Sequence, residues 1–213
     1  MHIGENKEIS KMTILDNISY DDSSLMGESV KKHLKRCGVG VKIRPLAKIA
    51  LPHMVEIDDY SIIDDFVLIA GGNGVKIGKF VHISSFCSIA GGGQLIMEDF
   101  SGLSAGCRII TGSDDFSGQS LTNPCIPLKY KPFLHQGIVR ICKHSILGTN
   151  SIIHPDVVIG PYAATGSNTV VLSDLDEASV YVGSPARKIG ERKKEDMERL
   201  EYEIMQDFYG SDA

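Results

Sequence analysis

The chain lacks tryptophan, a dominant charge of either sign, and any apolar run longer than a few residues. The last absence excludes a membrane-spanning helix, which needs roughly 20 apolar residues in succession. The formal net charge of −5 leaves no broad basic surface for nucleic acid. The five cysteines are odd in number and scattered, and no Cys-x-x-Cys occurs. A disulfide framework and a structural zinc site are both disfavoured on that count. The opening stretch, MHIGENKEISKM, lacks the apolar core of a signal peptide. The expectation is a cytoplasmic protein with no nucleic-acid partner and no membrane insertion. What the chain has in quantity is glycine, 22 of 213 residues, which suits an all-β repeat better than a helical bundle.

An apolar residue returns every six positions from residue 55 onward. It is followed by a small or acidic residue, and four positions later by a small or β-branched one. Ile57-Asp58 with Ser61, Ile77-Gly78 with Val81, Leu147-Gly148 with Ser151, and Thr165-Gly166 with Thr169 obey the rule. A helix of 3.6 residues per turn smears such a set around its cylinder, so the repeat is not helical. A short strand and a tight corner accommodate it, with alternate side chains pointing inward.

The misfits carry the architecture. The steps Ile49 to Ile57, Ile69 to Ile77 and Ile89 to Met97 are each eight, and the steps between them are six. Two extra residues therefore enter at every third hexad, which makes each coil a triangle and stacks the insertions on one corner. That corner reads Ala70-Gly-Gly-Asn-Gly74, then Ala90-Gly-Gly-Gly-Gln94, and after Ile109 it opens into a long excursion. Outside the prism, Ser23 or Ser24 is placed to cap a short helix closed by Gly38, and residues 191–207 read as an amphipathic helix.

The hexads, the single long loop and the segment Val182-Gly-Ser-Pro-Ala-Arg-Lys-Ile189 resemble the hexapeptide-repeat acyltransferases. Within them they are most similar to the maltose, galactoside and xenobiotic acetyltransferases and their sugar-modifying relatives. The resemblance implies an all-β, left-handed parallel β-helix with short helical appendages. The chain then divides into an N-terminal appendage at 1–40, the β-helix at 41–183 with its excursion loop at 110–138, and a tail with a helix at 184–213. It also implies a homotrimer with active sites at subunit interfaces, acetyl-CoA as co-substrate, a small-molecule sugar acceptor and no metal.

Transfer of an acyl group from a thioester to a hydroxyl needs a base. In the sugar and xenobiotic branches a histidine in the excursion loop supplies it, yet the matching stretch Ile110-Thr-Gly-Ser-Asp-Asp-Phe-Ser117 contains none. Column arithmetic sorts the others. His144 shares a corner column with Tyr60, Phe80, Phe100 and Tyr162 and reads as one rung of an aromatic ladder. His154 reads as a packing or groove residue. His82 points outward in a column with Ile62, Gly102, Ile146 and Ala164, an apolar face suited to a subunit contact, with Gly102 leaving room beside the ring. It is the catalytic candidate, against the alternative of a histidine satisfied by hydrogen bonds within an interface. His135, late in the loop, is the runner-up.

Asp114 and Asp115 are candidates for binding the acceptor, or else a solvated turn. Ser84 falls where sugar-acetylating relatives carry an acceptor-binding asparagine. The resemblance carries Gly148, Thr165, Gly166 and Ser184 over as cofactor contacts. Arg187, Lys188 and Arg192 are candidates for CoA phosphates, or else solvated cations. Cys87 and Cys107 occupy inward positions and read as core. The absent loop histidine shifts the expected acceptor from hydroxyl to amine, because a neutral amine is already nucleophilic. The leading expectation is acetylation of an amino sugar, in one form nucleotide-linked and used for surface polysaccharide. Sugar O-acetylation, a zinc hydratase of the same fold and a non-catalytic scaffold are the alternatives. The zinc reading needs closely spaced histidines, and none here are nearer than nine positions.

Overall fold

The computed structural model describes residues 25–210. Ser23, Ser24 and His2 lie outside them. The described chain winds through three parallel sheets in turn. Sheet I stacks Arg36–Cys37, Val55–Ile57, Gly74–Ile77, Gln94–Met97, Ile138–Ile141 and Val158–Ile159. Sheet II begins with Lys42–Ile43, Ile62–Ile63, His82–Ile83 and Gly102–Leu103, and continues with Ile146–Leu147, Ala164–Thr165 and Ser179–Val182. Sheet III stacks Lys48–Ala50, Leu68–Ala70, Ser88–Ala90, Arg108–Ile110, Ile152–Ile153 and Val170–Val171. A last strand, Arg187–Glu191, folds back antiparallel on Ser179–Val182 and closes the top.

The hexad rule explains the core. Ile57, Ile77, Met97, Ile141 and Ile159 point inward from sheet I. Ile63, Ile83, Leu103 and Leu147 do so from sheet II, and Ile49, Ile69, Ile89, Ile109 and Ile153 from sheet III; all are essentially solvent-free. Each such isoleucine or leucine is worth about 1.5–3 kcal/mol in transfer from water. Parallel pairing runs beyond the hexad span, from Arg36 to Tyr181. The end coils keep the inward residues, Ile43 and Tyr181, while losing the regular corner spacing that makes the pattern visible.

The insertions stack on the corner between sheets III and I. Backbone from successive coils closes up there: an added Cβ at Gly71 would lie 2.6 Å from the Leu51 carbonyl, and at Gly72 2.5 Å from the Gly93 carbonyl. The excursion leaves from this corner, and its two ends pair antiparallel as Gly112–Ser113 with His135–Gln136.

The corner between sheets I and II carries the aromatic ladder. Tyr60, Phe80, Phe100, His144 and Tyr162 stack with ring centroids 4.9–5.3 Å apart. Each has φ between 53° and 61°, a conformation that aromatic residues adopt only where the surroundings impose it. A C-terminal helix, α1 (Glu195–Tyr209), runs along this ladder. Phe208 packs edge-on to Tyr60 and Phe80, the Tyr209 hydroxyl donates to Asp59, and Glu201 meets His144 at 2.9 Å. His144 is thus enclosed as a rung with a carboxylate partner.

At the other end, Gly27–His33 forms a 3-10 helix that puts Leu25 and Val30 over the first coil. No helix among the described residues is long and apolar enough to cross a membrane.

Candidate active site

The first residues of the corner between sheets II and III form one vertical line: Asp64, Ser84, Ser104, Gly148 and Gly166. Each N–H donates to the coil above, with Ser84 to the Leu103 carbonyl at 3.0 Å, Ser104 to Leu147 at 2.9 Å, Gly148 to Thr165 at 3.0 Å and Gly166 to Tyr181 at 2.8 Å. The acceptor candidate Ser84 and the cofactor candidates Gly148 and Gly166 therefore share one edge of the prism. From Ser84 upward the line holds only small residues. Glycine is required at its top, because a Cβ at Gly148 would sit 2.6 Å from the Gly166 and Thr165 backbone, and one at Gly166 2.8 Å from Val182. Ser104 was not among the residues singled out by sequence, although its place in the column with Ser84 and Gly148 is readable there.

The closing hairpin turns over the end of this line. Val182 pairs with Arg187, the Gly183 carbonyl accepts from the Val170 N–H at 2.9 Å, and Ser184 and Arg187 are exposed at the turn. Ser184 and Arg187 thus remain available to a ligand lying along the edge. Lys188 is half engaged, 3.5 Å from Glu191 and 3.8 Å from Asp176.

Two cofactor candidates are engaged within the fold. Thr165 pairs with Leu147 in sheet II and points inward. Its hydroxyl accepts from the Gly148 N–H and meets Ser151 Oγ, both at 3.0 Å, and so links neighbouring coils. Arg192 does not reach outward either. Its Nη1 donates to the carbonyls of His144, Tyr162 and Ala163 at 3.3, 2.8 and 3.4 Å, and burial pulls its pKa down. It satisfies carbonyls at the top of the ladder, where helix α1 departs.

His82 stands on the outer face of sheet II between Ile62 and Gly102, with Ile146 and Ala164 beyond. Its ring is half exposed and its Nε2 lies 2.9 Å from Asp64 Oδ2. The room expected beside it at Gly102 is taken in part by Ile146, whose Cδ1 would lie 3.1 Å from a Cβ there. His82 is an outward imidazole oriented by a carboxylate, beside the line of small residues. His135 lies at the base of the excursion, and its Nε2 meets Asp156 Oδ2 at 2.5 Å. The Asp156 carboxyl is held below its usual range, first by the Ile138 N–H and then by His135.

Both loop aspartates are tied into the loop. Asp115 accepts the N–H groups of Ser117, Gln119 and Ser120 at 2.7–2.9 Å, an Asx-type turn. Asp114 pairs with Lys131 at 2.5 Å and accepts the Asn123 N–H at 2.8 Å. The Lys131 ammonium holds the Asp114 carboxyl below the ordinary carboxylate range. Asp115 is thereby a turn former. Asp114 keeps 24% of its side chain exposed, with Oδ1 itself buried.

Two depressions, of about 460 Å³ on the outer face of sheet I and about 440 Å³ between α1 and the ladder, contain none of these candidates. The candidates follow an open edge of the prism instead. Cys87 and Cys107 are buried in neighbouring coils, and mutual contact and burial push the Cys107 thiol up. Among the described residues no three His, Cys, Asp or Glu side chains converge as a metal site.

No protein-family model matches the chain. It is 36% identical, over 77% of its length and 85% of the other's, to a dTDP-4-amino-4,6-dideoxy-D-glucose acyltransferase from Escherichia coli. It superposes with a TM-score of 0.78 and 37% identity on AntD, an N-acyltransferase from Bacillus cereus solved with dTDP and 3-hydroxybutyryl-CoA, covering 84% of this chain and 95% of AntD. AntD has also been solved with a serine replaced, in complex with CoA and dTDP-4-amino-4,6-dideoxyglucose, and with an aspartate ten positions further on replaced, in complex with dTDP and CoA. A maltose O-acetyltransferase from Clostridium difficile 630 shares the fold at a TM-score of 0.52 and 18% identity, over 78% of this chain and 74% of the other. The chain belongs to the hexapeptide-repeat sugar acyltransferases, enzymes of the left-handed β-helix that take their acyl group from acyl-CoA.

Proposed function

We propose that this protein is an N-acyltransferase whose acceptor is a nucleotide-linked 4-amino-4,6-dideoxy sugar and whose donor is an acyl-CoA. One observation carries the acceptor assignment. Two relatives above 30% identity act on or bind this amino sugar as its dTDP derivative. The excursion loop agrees, since it enters without the histidine that a hydroxyl acceptor calls for.

In AntD the replaced serine and aspartate are ten positions apart. In this chain Ser104 and Asp114 form the only serine–aspartate pair with that order and separation. Ser104 is a hydroxyl on the line of small residues, and Asp114 is an ionised carboxylate in the loop. Together they suit a sugar hydroxyl or carbonyl on one side and an amino group on the other. The amine attacks the thioester carbonyl, the C–N bond forms, the C–S bond breaks and CoA leaves as thiolate. One N–H proton must depart, to the thiolate or to His82, whose Nε2 is held by Asp64. Gly148, Gly166, Ser184 and Arg187 line the edge along which the donor lies.

The assembly is a homotrimer with its sites between subunits. A single chain leaves Phe116 at 94% exposure in the loop and the stacked pair Phe66 and Phe86 at 53% and 58% on the corner between sheets II and III. Apolar surface of this kind marks a contact. A thiol-release assay with acetyl-CoA and 3-hydroxybutyryl-CoA, run against nucleotide-linked and free amino and hydroxyl sugars, tests the reading. Turnover is expected only with the nucleotide-linked amino sugar; turnover confined to hydroxyl acceptors overturns it.

A further inference from the structure

The excursion loop contains a buried cation that acyl transfer, as described above, does not use. The Lys131 side chain is 1% exposed. Its ammonium meets Asp114 Oδ1 at 2.5 Å and donates to the Asn123 carbonyl at 3.0 Å, while the Asn123 N–H donates to Asp114 Oδ2 at 2.8 Å. The three residues close a ring in which Oδ1 is buried against Lys131 while the Asp114 side chain as a whole keeps 24% of its surface exposed. A lysine stem carries four rotatable bonds, and enclosing it fully is seldom done for stability alone, because an apolar residue of similar volume serves as well.

We infer that Lys131 is a positioning residue for acyl transfer: through the ring with Asn123 it fixes the Asp114 carboxylate in place, ionised, to face the acceptor's amino group. The inference rests on the reading of Asp114 as the acceptor contact. The other charged groups around Asp114 are all engaged elsewhere. The Asp115 carboxylate is turned on to the N–H groups of Ser117, Gln119 and Ser120; His135, across the strand pair from Ser113, meets Asp156; and Lys129 lies over the Tyr130 ring. Lys131 is thus the cation that sets the charge of Asp114. A carboxylate held this way is a poor proton acceptor at neutral pH. It acts as a fixed negative charge that attracts the amino group and stabilises the positive charge growing on nitrogen during attack.

The test compares K131M, K131R and D114N in the full chain, following kcat, the KM for each substrate and the pH profile of kcat. The Asp114 pKa is depressed in the native protein, so removing the cation returns it toward the ordinary value and the acid limb of the profile moves to higher pH. K131M is expected to lose at least about tenfold in kcat, to shift that limb upward, and to leave the KM for acyl-CoA within about twofold. K131R keeps the charge and is expected to hold the limb at its wild-type position. An unmoved acid limb in folded K131M, or equal profiles for K131M and K131R, assigns Lys131 to loop stability alone and overturns the inference. Where K131M does not fold, a carbon-13 carboxyl titration of Asp114 in the wild-type protein decides, and a midpoint at the ordinary carboxylate value overturns it. Wild-type turnover by D114N places the fault in the reading of Asp114 and not in the pairing.

Discussion

Replacing Gly93 by alanine tests whether the excursion loop is placed by backbone packing at its base. Gly93 lies in the glycine-rich corner, directly under both ends of the loop. A Cβ there would come within 3.0 Å of the carbonyl oxygens of Thr111 and Gly137, and these are the residues whose Gly137 N–H to Thr111 carbonyl bond of 2.8 Å closes the loop. All the clashing atoms are backbone, so no side-chain rotation relieves them. Restoring an ordinary contact of about 3.4 Å displaces the loop ends by about 1 Å. Misplacement of about 1 Å costs on the order of 10²-fold in rate, or about 2.7 kcal/mol at 1.36 kcal/mol per decade. Overpacking itself costs about 1–3 kcal/mol, which lowers the melting temperature of a chain this size by some degrees, at roughly 2–4 °C per kcal/mol. The assay is thiol release with the amino-sugar acceptor, beside a circular-dichroism melt. G93A is expected to be folded at 25 °C and to have lost about two decades of kcat. A folded G93A with wild-type kcat would refute the idea that this packing positions the site.

His82→Asn is expected to lower kcat by on the order of 10²-fold if the imidazole takes the proton; unchanged turnover leaves that proton to the departing thiolate. Glu201→Gln is expected to loosen helix α1 by about 1–2 kcal/mol, seen as roughly tenfold faster amide exchange across 195–209. Burial pushes the Glu201 carboxyl up, but Lys143 and His144 together hold it below its usual value. That stabilisation is therefore present above the unfolded carboxylate pKa and lost as pH falls through the folded one. The difference between wild type and E201Q should vanish in acid, and a difference that persists there sinks the assignment. Phe66→Asp with Phe86→Asp is expected to dissociate the trimer in sedimentation velocity; a trimer that survives both changes puts the subunit contact elsewhere.

The fold was legible because its information is periodic. Ile63, Ile83 and Leu103 recur at intervals of twenty, and the eight-residue steps mark a single corner, so architecture follows from counting. The His144 rung was legible for the same reason, as was the outward position of His82. The same column rule aligns Thr165 with inward Leu147 and Ser104 with Ser84. The loop lies beyond such counting. Asp114 and Lys131 are seventeen positions apart in a segment with no repeat, so nothing in sequence announces their pairing. Arg192 hides its role differently. An arginine near a helix start in a basic run reads as solvated or phosphate-binding, and its bonds to the carbonyls of His144, Tyr162 and Ala163 are not visible in sequence.

The position of the loop relative to the small-residue edge bears on how many chains make one site. Ser104 opens the corner between sheets II and III, and the loop with Asp114 leaves sheet III at its far end, after Arg108–Ile110. Three residues of extended strand separate those corners by about 10 Å, and Leu68, Ser88 and Ile152 flank the strand on the same outer face. Within one chain the two residues meet at one amino group only if the loop folds back across this face. In the proposed trimer the loop of one subunit would meet the edge of its neighbour, and each site would take Ser104 from one chain and Asp114 from the next. Two inactive variants, S104A and D114N, should then complement each other when coexpressed. In randomly mixed trimers a site needs an intact serine and an intact aspartate from adjacent chains, which occurs in about one quarter of sites. Recovery of about a quarter of wild-type kcat in the mixture supports sites shared between subunits. No recovery, in mixed trimers verified by mass, shows that both residues serve the same chain's site and that the loop folds back over its own sheet III.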